Sequence, residues 1–218
     1  MFERQSALSG APASAACVPM VDRPGLRIAE VVGWDLVQIA AFPATLHEFE
    51  SAVRAILGAD LPKAIGESVN VGGRCQLKTG PEQFWVMTER PEKIAHSLQA
   101  AIAPHVGSVT SLSHSRTRIS VDGSAARALL GRGIAYDLHP DVFGVGRFAL
   151  TGLHHTPVLI HRKSADGYEL LALRTYARSI CSWIGDAARS IGPQGAAYRG
   201  PGGCKLLDST ATGARLHR

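Results

Sequence analysis

The sequence is poor in the residues that build common catalytic and cofactor sites. Its four cysteines, Cys17, Cys75, Cys181 and Cys204, stand far apart and no two are spaced C-x-x-C. That argues against a zinc knuckle or a disulfide framework and leaves buried or idle thiols. No H-E-x-x-H and no G-x-S-x-G pattern occurs, so the sequence signatures of a helix-borne zinc protease and of a hydrolase nucleophile elbow are both missing. Aromatic residues make up 6% and fall at core spacing without interleaved arginines, which argues against a stacking platform for single-stranded nucleic acid. No apolar run approaches the roughly 20 residues of a membrane-spanning helix. Residues 1–16 show no unbroken apolar stretch behind a basic start, so the expectation is a cytoplasmic chain without a secretory signal.

What is present is an ordinary globular composition: 218 residues, 45% hydrophobic and 19% charged. That is enough for one large domain or two small ones packed together. The net charge is +5, but Arg199, Lys205, Arg215 and Arg218 against Asp208 place +3 of it after Ile191. The remaining +2 gives little support to a phosphate-binding face. Residues 1–22 are rich in Ala, Ser and Pro and read as an N-terminal arm, flexible alone. Residues 192–218 are turn-rich and read as a disordered tail. The foldable region is then 23–191, in two subparts of about 23–113 and 114–191.

Strand and helix signals alternate through it. Leu26 to Val32 and Asp35 to Ala40 read as strands joined at Gly33-Trp34. Thr45-Leu-His-Glu48 has the pattern of a capping box, and Leu46, Phe49, Val53, Ile56 and Leu57 follow at helical spacing up to Gly58. Gln83 to Met87 is β-prone. A second helix starts at Pro91, carries Ile94, Leu98, Ala101 and Ile102 on one face, and stops at Pro104. Arg116 to Val121 alternates as a half-buried strand, with Arg116, Arg118 and Ser120 on the outer face. A short helix from Ser124 to Leu130 is closed by Gly131. Phe148–Leu153, Val158–Arg162 and Tyr168–Leu173 read as strands, the last two joined through Asp166-Gly167. Tyr176, Ile180, Trp183, Ile184 and Ala187 mark a final amphipathic helix with Arg178, Ser182 and Arg189 outside. The pattern predicts an α+β fold of antiparallel sheets with packed helices.

Candidate sites are few. Gly144-Val-Gly-Arg-Phe-Ala149 fits the dinucleotide fingerprint but precedes a β-prone run, so it reads as a turn. Gly202-Gly-Cys-Lys205 lacks the full phosphate-loop pattern. His154 and His155 are taken as neighbours on a strand, pointing to opposite faces. His155 and His161 could meet across a hairpin, but the sequence fixes no acid beside them and no metal site is assigned. Asp137 and His139 are the two candidates for a cofactor-facing position. Asp137, flanked by apolar residues, could act as a buried base, but the commoner role is to cap or pair locally, with an arginine of the Arg116 strand as one partner.

Taken in order, Ser115-Arg-Thr-Arg-Ile-Ser-Val-Asp-Gly-Ser-Ala-Ala-Arg-Ala-Leu-Leu130, Asp137-Leu-His-Pro140, Phe143-Gly-Val-Gly-Arg147 and Leu173-Arg-Thr-Tyr-Ala-Arg-Ser-Ile-Cys-Ser-Trp-Ile-Gly-Asp-Ala187 form one series. With Ser6-Ala-Leu8, Leu61-Pro62 and Gly80-Pro-Glu-Gln-Phe-Trp-Val86 upstream, it resembles the gamma subunit of heterotetrameric sarcosine oxidase, over about Arg4 to Ile191. That family is in turn similar to the folate-binding fold of the glycine-cleavage aminomethyltransferase.

The resemblance implies an α+β fold in two parts around a groove, and a non-catalytic subunit that assembles chiefly with an alpha subunit, beside beta and delta. It implies no cofactor on this chain. FAD, FMN, NAD and tetrahydrofolate belong to alpha and beta, and zinc to delta. The complex would demethylate sarcosine to glycine, although similar gamma subunits serve dehydrogenases of other N-methylated amines. The final helix and the N-terminal arm are the expected contact surfaces. The tail after Ile191 exceeds the usual family end, and no folate-anchoring acid of the transferases carries over. The other reading is a free-standing folate-binding protein of the aminomethyltransferase type, with Asp137 or His139 near the pterin.

Overall fold

The computed structural model describes residues 6–8, 17–89 and 94–191. Their strands form two antiparallel sheets. The first contains β1 (Cys17–Arg23), β2 (Leu26–Val31), β8 (Arg116–Asp122), β9 (Phe148–Leu153), β10 (Thr156–Ser164) and β11 (Gly167–Leu173), in the order β1-β2-β8-β11-β10-β9. The second contains β3 (Asp35–Ala41), β4 (Ser68–Val71), β5 (Arg74–Lys78), β6 (Gln83–Thr88) and β7 (Gly107–Ser111), in the order β4-β5-β6-β3-β7. Helices α1 (Leu46–Leu57) and α2 (Ile94–Ala101) cover the second sheet. Helices α3 (Ala126–Leu130) and α4 (Ala177–Arg189) cover the first.

Three apolar clusters follow from the side-chain alternation of these strands. Ile28, Ile119, Val121, Tyr168 and Leu170 face α4, which contributes Ile180, Cys181 and Ile184. Val37, Ile39, Phe84 and Val86 face α1 and α2, which contribute Phe49, Val53, Leu57 and Leu98. The opposite faces meet each other: Trp34, Leu36, Leu77, Trp85 and Met87 pack on Phe148, Leu159 and Leu171. The result is helices, sheet, sheet and helices in four layers, and the expected α+β class holds.

Local chemistry sets the element ends. Gly58 closes α1 in the left-handed region at φ 74°, its N–H donating to Arg54 O. Gly123 turns β8 into α3 at φ 114°, where a Cβ would lie 2.4 Å from Gly25 O. The capping box at Thr45 does not form. Pro43–Thr45 is a 3-10 turn ahead of α1, the Thr45 hydroxyl accepts from no α1 N–H, and it donates to Val106 O at 2.8 Å. It ties the start of α1 to the segment before β7.

Two expectations about organisation need correction. The N-terminal arm does not extend to Asp22, because residues 17–23 pair with β2 and Met20 and Val21 lie in the core under α4. Ser6–Leu8 is also docked: the Ser6 hydroxyl and the Ala7 N–H donate to the buried Glu30 carboxylate, and Leu8 is buried. Nor do the sheets follow a cut near residue 113, since β1 and β2 complete the sheet of the second half. Leu26 and Ile28 fit only the cluster under α4, which places their strand beside β8. The start of the second helix at Pro91 and the tail at 192–218 lie outside the described residues.

Candidate functional site

Two polar residues of β8 expected on an outer face do not face solvent. Arg118 and Ser120 are buried, because their side of the first sheet is covered by the second. Register brings the partners together. Ala29, Ser120, Glu169, His161 and Phe148 form one row across β2, β8, β11, β10 and β9, with Arg118 one step diagonal to Glu169. Arg118 Nη2 donates to Glu169 Oε1 at 2.5 Å, both side chains being at most 6% exposed. Lys163 Nζ lies 3.8 Å from the same oxygen and 3.3 Å from Asp122. On the other carboxylate oxygen, His161 Nδ1 stands 3.7 Å away. Ser68 Oγ lies 2.8 Å from Gly146 O, to which it donates, and 2.9 Å from His161 Nε2, linking β10 to the second sheet.

Burial alone would push the Glu169 carboxyl up. The His161 imidazole beside it, with Arg118 and Lys163, outweighs that and holds it down at about 2. Arg118 also stacks on Trp34, its guanidinium carbon 5.6 Å from the ring centroid. The row of side chains from Arg118 to Ser68 is thus a desolvated charge pair with His161 beside it, held between the two sheets. It opens at one end into a cavity of about 290 Å³, where Arg27, Glu89, Arg118, Asp122, Lys163 and Glu169 supply the charged lining. A second groove of about 370 Å³ lies between Trp85 and the Leu150, Leu159, Leu171 and Leu173 side chains, with Arg116 stacked on Trp85 at 5.5 Å.

The candidates read from sequence lie elsewhere. Asp137 and His139 sit exposed on the loop between α3 and β9. Asp137 accepts from the His139 N–H at 2.8 Å, the local capping expected, and takes no arginine of β8. His139 Nδ1 is 3.5 Å from Asp141. Neither lines either cavity. His154 and His155 are not strand neighbours. They form the two-residue turn between Leu153 and Thr156, with His154 at φ 55° and the rings 4.1 Å apart. His161 lies near the far end of β10 from them, so the proposed meeting with His155 does not occur, and its acidic neighbour is Glu169. Among the described residues no group of three or more His, Cys, Asp or Glu is placed to hold a metal. Gly144–Gly146 is a turn leading into β9, as read.

The thiols behave as core atoms. Cys75 and Cys181 are free and buried. Burial pushes the Cys75 thiol up to about 12, with Glu169 adding to the effect, and raises Cys181 as well. In the folded protein at pH 8, a thiol reagent is therefore expected to leave both unmodified. Mass mapping after a labelling pulse checks this, and modification of either without denaturant contradicts it.

Similarity to known proteins agrees with this architecture. The sequence pattern of the sarcosine oxidase, gamma subunit family matches residues 40–190. The sarcosine oxidase subunit gamma of Corynebacterium sp. (strain U-96) is 33% identical over 138 residues, covering 63% of this chain and 67% of that protein. Its counterpart from Arthrobacter sp. is 32% identical over 138 residues, covering 63% and 68%. A chain of the heterotetrameric sarcosine oxidase from Corynebacterium sp. U-96, solved with pyrrole 2-carboxylate, superposes with a TM-score of 0.73 at 28% identity, over 85% of this chain and 93% of that one. The glycine cleavage system aminomethyltransferase T from Bartonella henselae shares the fold, with a TM-score of 0.54 at 17% identity over 74% of this chain and 46% of that one. Together with the two-sheet architecture, these matches show that the chain belongs to the sarcosine oxidase gamma subunit family.

Proposed function

We propose that this chain is a non-catalytic subunit of a heterotetrameric sarcosine oxidase, with a structural role against the alpha subunit. The observation that carries the reading is the match to nearly the whole of one chain of such an assembly. Within that reading, the flavins FAD and FMN, NAD and tetrahydrofolate are held by alpha and beta, zinc is held by delta, and the assembly demethylates sarcosine oxidatively to glycine in the cytoplasm. Asp137 and His139 then cap their own loop and touch no cofactor.

The contact surface is better placed at the apolar groove than on α4. The helix commits Ile180, Cys181 and Ile184 to the core and turns Arg178, Ser182 and Asp186 outward. At the groove, Leu150 is 60% and Leu173 38% exposed, beside Trp85. An apolar surface of this kind gains by being covered.

The test is co-expression with candidate alpha, beta and delta subunits and capture through a tag on this chain. The expected result is a stoichiometric yellow complex that turns over sarcosine, while the chain purified alone is colourless and inactive. Leu150→Asp with Leu173→Asp is expected to weaken capture at least tenfold without unfolding the chain. Flavin bound to the lone chain, or sarcosine turnover by it, overturns the proposal.

A further inference from the structure

The two edges of the first sheet are finished differently. At β1 the ladder on β2 shifts register between Pro19 and Val21, and the charged Asp22 and Arg23 follow. Bulges, prolines and charges are the devices that stop a sheet edge from pairing further. β9, at the other edge, is Phe-Ala-Leu-Thr-Gly-Leu, with no charge, no proline and an unbroken register on β10. The Phe148 N–H donates away from β10, to Gly66 O at 2.8 Å. Backbone direction alternates along an antiparallel strand, so Leu150, two residues on, also turns its N–H and C=O outward. Neither group has a backbone partner among the described residues. The edge is open at its centre.

The opening is short. Gly66 holds the edge at Phe148 and Ile134 bridges Leu153, which leaves residues 149–151 uncovered, about 10 Å of strand. The full β9 of a second copy would run into both flanking segments, so what fits is a short extended piece of a different chain. Leu150, 60% exposed, also lines the groove beside Trp85 with Pro157, Leu159 and Leu173, and the one charge in that lining is Arg116. An added strand sends alternate side chains over such a groove. The complementary segment is therefore apolar at those positions and carries no cation there. Resting on the subunit role proposed above, we propose that β9 is a strand-addition site, where an extended apolar segment of the alpha subunit pairs with both backbone groups of Leu150. The side chain of Leu150 then supplies contact and its backbone supplies register.

The test uses the full chain co-expressed with alpha, beta and delta subunits. Hydrogen exchange, read by mass spectrometry on overlapping fragments, is expected to slow at least tenfold at the Leu150 amide on assembly. Leu150→Pro removes an N–H that bonds nothing within the chain, the one kind of strand position where proline is tolerated. Leu150→Val keeps the N–H beside an apolar side chain of similar size. Capture through the tag is expected to fall at least tenfold further for Leu150→Pro than for Leu150→Val. Where Leu150→Pro does not fold, the exchange rate in the unaltered complex decides. A complex in which the Leu150 amide exchanges as in the free chain overturns strand addition and leaves the subunit role standing. Equal capture of Leu150→Pro and Leu150→Val does the same. No complex with the parent chain overturns both.

Discussion

Arg118→Met is expected to destabilise the chain by about 3–5 kcal/mol, because it strands a buried carboxylate whose main partner is gone. Glu169 is 3% exposed, and what remains near it is Lys163 at 3.8 Å and His161 at 3.7 Å. Urea unfolding measures the loss. The double variant Arg118→Met with Glu169→Leu should recover most of it, since removing both charges also removes both desolvation costs. If the single variant unfolds within 1 kcal/mol of the parent, Arg118 does not hold Glu169 as described. The same carboxyl makes stability fall in acid. Its folded pKa, about 2, lies below the ~4.3 of an unfolded glutamate. The contribution is therefore complete at neutral pH and drains away as pH drops from about 5 towards 2, where the unfolded chain takes the proton first. Glu169→Gln should flatten that part of the pH profile.

Trp34→Ala is expected to cost a further large amount, about 3–5 kcal/mol. The ring is 1% exposed, joins β2 to β3, and fills the space between the sheets beneath Arg118. Part of its effect should be shared with Arg118. A double-mutant cycle between the two is expected to show a coupling of about 0.5–2 kcal/mol, the signature of a guanidinium stacked on a desolvated ring. Strict additivity would mean that the 5.6 Å approach contributes nothing. Both readouts come from the lone chain and need no partner subunit.

The second half of the fold was legible because its signals are local. Gly131 after Leu130, Asp166-Gly167 between two apolar runs, and the spacing of Ile180, Trp183 and Ile184 each fix an element without reference to the rest. β4 and β5 were missed although Gly72-Gly73 joins them, both glycines at positive φ, because Ser68-Val-Asn-Val71 is too polar to stand out as a strand. β7, Gly-Ser-Val-Thr-Ser111, owes its state to pairing with β3. Thr45 and Glu48 match a capping box in sequence, yet the carbonyl of Val106 lies within reach and takes the hydroxyl.

The polar site was hidden for the same kind of reason. Alternation in Arg116 to Val121 shows that two faces differ, and it is silent about whether the polar one meets water or a second sheet. Only the pairing of β8 with β11 reveals that Arg118 has Glu169 for a neighbour. The separation of 51 residues puts that beyond any local reading.

The place of β2 beside β8 also bears on how the chain is made. The second sheet draws on residues 35–111 alone and can close as soon as they leave the ribosome. Strands β1 and β2 emerge earlier and can pair with each other, yet the other edge of β2 has no partner until residue 122 has been synthesised. Outer strands thus wait through most of translation with Met20, Leu26 and Ile28 uncovered, and the layer they complete is the last to assemble. A nascent chain stalled near residue 115 would present that apolar edge to any chaperone at the exit tunnel.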